Sequence, residues 1–175
     1  MALNWTMLQP NRTPVPLPHE TTIQQIESGA EISLTIPDAP PSASSNAGGS
    51  GGVKRLKDFG GIWLTDQRLI FVTPNAPNKS FESLTIPLLS ILSTSFEQPL
   101  LGSNYLTIDI KPSPDGGLST GTKAELRLQD RGLFGFVSLL DKTRERAIYM
   151  KRQKESEEEN LRESGLDTRW IMDNE

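Results

Sequence analysis

The stretch Gly60–Val72, GGIWLTDQRLIFV, constrains this chain more than any other. Two short apolar runs, Ile62-Trp63-Leu64 and Leu69-Ile70-Phe71-Val72, flank the polar tetrad Thr65-Asp66-Gln67-Arg68. β-Branched and aromatic residues favour the pleated surface of a strand, and polar turn-formers between two such runs predict a tight reversal. Gly60-Gly61 before the first run permits a bulge or a close approach of backbones. A strand pair of this kind needs further strands to cover it, and the rest of the sequence supplies them.

Residues 1–28 form a Pro-rich arm. Pro14-Val15-Pro16-Leu17-Pro18 forbids a helix and favours an extended, polyproline-like path, read as a strap along the surface or as a ligand for a proline-reading module. His19, the sole histidine, reads as a solvated side chain. Ile23 and Ile26, three apart in a polar segment, suggest one helical turn between Glu20 and Gly29. Glu31–Ile36 then alternates polar and apolar residues with period two, the mark of a half-buried strand. Residues 38–52 contain mostly Ala, Pro, Ser, Asn and Gly, so they have little to bury and read as a disordered insertion within the domain. Further strands are expected at Phe81–Ile86, Ile91–Phe96, Tyr105–Ile110 and Lys123–Leu128.

A helix begins near Asp130, a suitable N-cap, with Leu133, Phe136, Val137 and Leu140 on one face. The expected core also takes in Leu34, Ile36, Ile62, Leu64, Ile70, Phe71, Leu84, Ile86, Leu106, Ile108, Leu126 and Leu128. Beyond Tyr149 the apolar face fades. Residues 155–175 read as a charged helical extension and tail, supported by Lys154–Glu158 and Glu158–Arg162 spacings. Six basic residues and one acid, Glu145, lie between Lys142 and Lys154, with four glutamates close behind. Such a helix suits either an acidic partner or a nucleic-acid backbone, or is simply a solvated helix with internal ion pairs.

Zero cysteines exclude disulfides, a thiolate nucleophile and thiolate-bound zinc. With a single histidine the usual catalytic triads cannot be assembled, and no phosphate-loop, dinucleotide or HExxH motif occurs. A non-enzymatic protein without cofactor or metal is expected. The sequence shows no secretory signal and no apolar run of membrane-spanning length. Nuclear or cytoplasmic residence is expected, with peripheral attachment to membranes as the variant. The net charge of −4 speaks against strong non-specific affinity for nucleic acid.

Three blocks carry a family resemblance. The strand pair around Leu64-Thr65 and Arg68 resembles that of GRAM domains, a variant of the pleckstrin-homology fold. Gln98-Pro99-Leu100-Leu101-Gly102-Ser103-Asn104-Tyr105 resembles a block of the WW-domain-binding protein 2 family, and Met1-Ala2-Leu3-Asn4 is similar to its opening. The resemblance runs from about Gly29 to Ile148. It implies a mainly β fold with a C-terminal α-helix: a seven-stranded, pleckstrin-homology-like barrel over residues 29–154, capped by the helix. It also implies a protein-binding adaptor of the transcription-coactivator type. One departure matters. Neither Tyr105 nor Tyr149 follows Pro-Pro, so the PPxY motif that relatives offer to WW domains does not occur in this sequence.

Two surfaces are nominated. Lys54, Arg55, Lys57, Arg68 and Lys79 are candidates to hold a lipid phosphate at the barrel mouth by charge-assisted bonds. Arg68 has the alternative of pairing with a barrel carboxylate. Sparse cations under a net negative charge predict weak, salt-sensitive attachment to phosphoinositide membranes. The second surface is the loop at Gln98, Pro99, Gly102, Asn104 and Tyr105, read either as a partner site or as a fold-determining turn. Pro99 fixes one φ there and Gly102 allows a left-handed conformation.

Overall fold

The structure, a computed structural model, describes residues 1–37, 52–129 and 132–172, with side chains through residue 165. Eight antiparallel strands form one sheet. They are β1 (Ala2–Leu3), β2 (Thr22–Pro37), β3 (Val53–Thr65), β4 (Arg68–Val72), β5 (Ser83–Pro87), β6 (Ile91–Glu97), β7 (Tyr105–Ile110) and β8 (Lys123–Leu128). Their order is β1-β5-β4-β3-β2-β8-β7-β6, and one helix, α1 (Leu133–Met172), follows. The sheet curls into a half-barrel of pleckstrin-homology type capped by that helix.

Alternation in the sequence explains the inner face. Ile32, Leu34 and Ile36 of β2, Leu106, Ile108 and Ile110 of β7, and Leu126 of β8 point into one buried core. Leu133, Phe136, Val137 and Leu140 of α1, at three- and four-residue spacings, cover it from the open side. Leu128 is only partly buried. The continuous apolar runs of β3 and β4 have a different cause, because that hairpin is covered on both faces. Ile62, Leu64, Leu69 and Phe71 enter the main core, whereas Trp63, Ile70 and Val72 pack on the far side beneath Leu8 of the N-terminal arm.

Several expectations change. Glu20–Gly29 holds no helical turn: from Thr22 the chain is strand, paired to β3, with a bulge between Ile26 and Ala30 that offsets the alternation. Lys54–Lys57, nominated only for its cations, is strand: it lies within β3, opposite Ile36–Ser33 of β2. An eighth strand, β1, adds to the seven expected. Ala2 and Leu3 pair with Thr85 and Leu84, and the Met1 side chain is fully buried in the core. The Met1 amine donates to the Lys111 carbonyl (3.1 Å) and Ser113 Oγ (3.2 Å), and burial lowers its pKa. The first residues thus bridge β5 and the β7–β8 loop. Helix α1 continues through Met172, where a tail was expected. Residues 38–51 of the insertion expected at 38–52, and the Asp130 cap, lie outside the described residues.

Candidate interaction surfaces

The polar tetrad between β3 and β4 is built to hold the arm. Thr65 Oγ1 accepts the backbone N–H groups of Gln67 (3.1 Å) and Arg68 (2.9 Å), closing the reversal locally. Asp66 Oδ1 then accepts Thr21 N–H at 2.9 Å, and Gln67 Nε2 donates to the Pro18 carbonyl at 3.2 Å. Arg68 turns inward. Its Nε and Nη2 donate to Glu20 at 2.8 and 3.1 Å, and Nη2 also reaches the Val15 carbonyl at 2.9 Å. The two side chains of this ion pair are only 8% and 3% exposed, so it is a dry, forked contact. Leu17 N–H and Thr65 Oγ1 complete the shell around the Glu20 carboxylate. Burial alone raises the Glu20 pKa, but the hydrogen bonds from Arg68, Leu17 and Thr65, with the Arg68 charge, outweigh it and leave the pKa lowered.

This geometry removes Arg68 from the phosphate-binding candidates: its guanidinium is buried and engaged. Lys79 Nζ lies 2.6 Å from Glu82 Oε1 and, by hydrogen bond first and charge second, lowers that carboxyl's pKa. Lys57 Nζ lies 3.2 Å from Glu31 Oε1, which Arg127 also approaches at 3.8 Å. Lys54 and Arg55 are exposed, make no ion pair among the described residues, and as strand neighbours project to opposite faces. Three of the five nominated cations, Arg68, Lys79 and Lys57, therefore face carboxylates. The sequence could not reveal the Glu20 partner, which is 48 residues from Arg68.

The loop between β6 and β7 is exposed from Gln98 to Asn104, with Leu100 and Leu101 at 104% and 91% of full exposure. Gly102 takes φ +98, and no atom lies within 4 Å of where its Cβ would be. Tyr105 starts β7 and carries the Arg127 guanidinium over its ring at 4.5 Å. A shallow recess of about 610 Å³ lies where the arm crosses the β2–β3 bulge, with Phe59, Trp63 and Arg12 among its walls. Arg12 is already engaged there by the Thr73 carbonyl, at 2.7 and 3.1 Å. No helix is long and apolar enough to cross a membrane, and no acidic or histidine cluster suited to a metal occurs among the described residues.

The fold defines a pleckstrin-homology-like module. It superposes on the Vps36 N-terminal PH domain with a TM-score of 0.55 and 15% identity, covering 85% of this chain and 96% of that one. Sequence similarity leads further. A postacrosomal sheath WW domain-binding protein of Macaca fascicularis is 26% identical over 142 residues, covering 81% of this chain and 51% of that protein. Its Bos taurus counterpart is 29% identical over 83 residues, 47% of this chain and 26% of that protein. A UPF0664 stress-induced protein of Schizosaccharomyces pombe is 29% identical over 76 residues, 43% of each chain. The chain thus spans about half or less of the length of these relatives. No protein-family model matches it.

Proposed function

We propose that this chain is a GRAM-type, non-catalytic adaptor module that acts by binding other proteins, transcription regulators among them, in the nucleus or cytoplasm. The observation that carries this reading is the engagement of the nominated cations. Headgroup capture needs several converging cations, each contributing about 1 kcal/mol near an anionic surface. Here Arg68, Lys79 and Lys57 face carboxylates instead. The WW domain-binding names of the mammalian relatives support a protein partner. Because PPxY does not occur in this sequence, the contact made by this chain is assigned to the folded module.

Phosphoinositide binding is the second reading, favoured only by the exposed Lys54 and Arg55 at the end of the β2–β3 hairpin. The two separate in paired assays on the intact chain. Affinity capture should recover discrete protein partners, while phosphoinositide vesicles should sediment little of the chain at physiological salt. Tight, salt-resistant sedimentation, lost on neutralising Lys54, Arg55 and Lys57, would overturn the adaptor reading.

A further inference from the structure

A groove of about 850 Å³ runs between α1 and the opposite wall formed by the β3–β4 turn and the chain just after β5. Its helical wall is one stripe of α1, in which Leu139, Ala147 and Met150 supply apolar surface and Lys142 and Arg146 supply charge. The facing wall offers Ile23, Pro87 and Leu89. Ile23, Leu89 and Met150 are 41%, 51% and 54% exposed, so the fold leaves large side chains uncovered here. Lys142 and Arg146 are also exposed, and neither makes an ion pair among the described residues. The one acid in the groove, Asp66, stands on the far wall and accepts the Thr21 N–H. Elsewhere on the molecule, Arg12, Lys57, Arg68, Lys79, Lys123 and Arg127 meet carboxylates, while Lys54 and Arg55 share the unpaired state of Lys142 and Arg146 without an apolar groove beside them among the described cavities.

We propose that this groove docks a short acidic segment of a partner protein, its apolar side chains seated between Met150 and Leu89 and its carboxylates on Lys142 and Arg146. The proposal rests on the adaptor reading and names its surface. Apolar walls with two unpaired cations on one rim are complementary to a chain carrying both leucine-like and acidic side chains. A flat bilayer cannot follow a concave groove walled on both sides, whereas a peptide segment can. Lys142 and Arg146 are four residues apart, a rise of about 6 Å. The two carboxylates of the ligand are accordingly spaced one helical turn apart, or two residues apart in an extended chain.

The test uses the full chain as bait for a phage-displayed library of random peptides, followed by fluorescence anisotropy with the enriched peptide. The expected sequence combines two acidic residues at that spacing with large apolar residues. Binding should weaken at least about tenfold with Lys142→Glu/Arg146→Glu, and equally with Leu89→Glu on the facing wall. Lys54→Glu/Arg55→Glu should leave it within about twofold, and all variants should keep the parental melting temperature. If selected peptides bind but ignore these groove substitutions, the site is wrong and the adaptor reading stands. If no peptide enriches, or enriched peptides lack acids, the proposal is overturned. So it is if sedimentation velocity shows a second copy occupying the groove. If phosphatidylserine or phosphoinositide vesicles alone bind, and lose binding on these changes, both readings fall.

Discussion

Replacing Glu20 with alanine tests whether the Pro-rich arm is part of the folded module or a strap laid over it. In the parent, the Glu20 carboxylate accepts from Arg68 Nε and Nη2, Thr65 Oγ1 and Leu17 N–H, all at 2.8 to 3.1 Å. Without it, the Arg68 guanidinium, in a residue only 7% exposed in the parent, keeps only the Val15 carbonyl and has no counter-charge. Removing one partner of a buried ion pair costs about 3–5 kcal/mol, because the surviving charge stays desolvated. For a chain of this size each kcal/mol lowers Tm by about 2–4 °C, so the variant should melt roughly 6–20 °C below the parent. Urea unfolding followed by tryptophan fluorescence gives the free energy. Limited proteolysis should show new cleavage within residues 9–20, since Leu8 and the arm would no longer be held over Trp63. Replacing both partners, Glu20→Leu with Arg68→Met, should recover most of the loss. A loss of under about 1 kcal/mol for Glu20→Ala, the size of an exposed pair, would refute the buried lock.

Three further outcomes follow from the same geometry. Gly60→Ala would place its Cβ 2.1 Å from the Val72 carbonyl oxygen, so backbone must move and stability should fall by at least about 2–3 kcal/mol in urea unfolding. Gly102→Val should cost about 1–2 kcal/mol or somewhat more through its positive φ alone, since nothing crowds the site; an unchanged melting temperature would remove the structured account of that loop. The lowered Glu20 pKa sets an acid dependence: its stabilisation is complete above the unfolded-state pKa of about 4.3 and is lost as pH falls through the lower folded value. The urea midpoint of the parent should therefore drop steeply over that acidic window, and that of Glu20→Gln more shallowly.

Much of the fold was legible because half-buried strands write period two into the sequence. Glu31–Ile36, Tyr105–Ile110 and Lys123–Leu128 alternate, and all three are strands lining one core. The two continuous runs at 62–64 and 69–72 marked the hairpin, although their far-side cover, Leu8, lies in the arm and left no local sign. Where the reading failed, tertiary contacts decided. The bulge after Ile26 disrupts alternation in β2, so Ile23 and Ile26 mimic a helical spacing. Lys54–Lys57 has no apolar face to announce it, yet pairing with β2 makes it strand. Strand β1 is two residues long, too short for any periodicity, and Met1 is buried only because it docks at the corner made by β5 and the β7–β8 loop. Of the nominated site residues, charge could be read from the sequence but not its neutralisation. Glu20 and Glu31 reach Arg68 and Lys57 only through folding.

The reading that this module binds proteins rather than lipid headgroups meets its most direct test in one titration. Soluble inositol trisphosphate, the headgroup without the membrane, is added to the 15N-labelled full chain at physiological salt while backbone amide shifts are followed. With Arg68 locked on Glu20 and Lys57 and Lys79 on carboxylates, only weak, non-saturating shifts are predicted at Lys54 and Arg55. Saturable shifts converging on Lys54, Arg55, Lys57 and Lys79 at micromolar headgroup would contradict it.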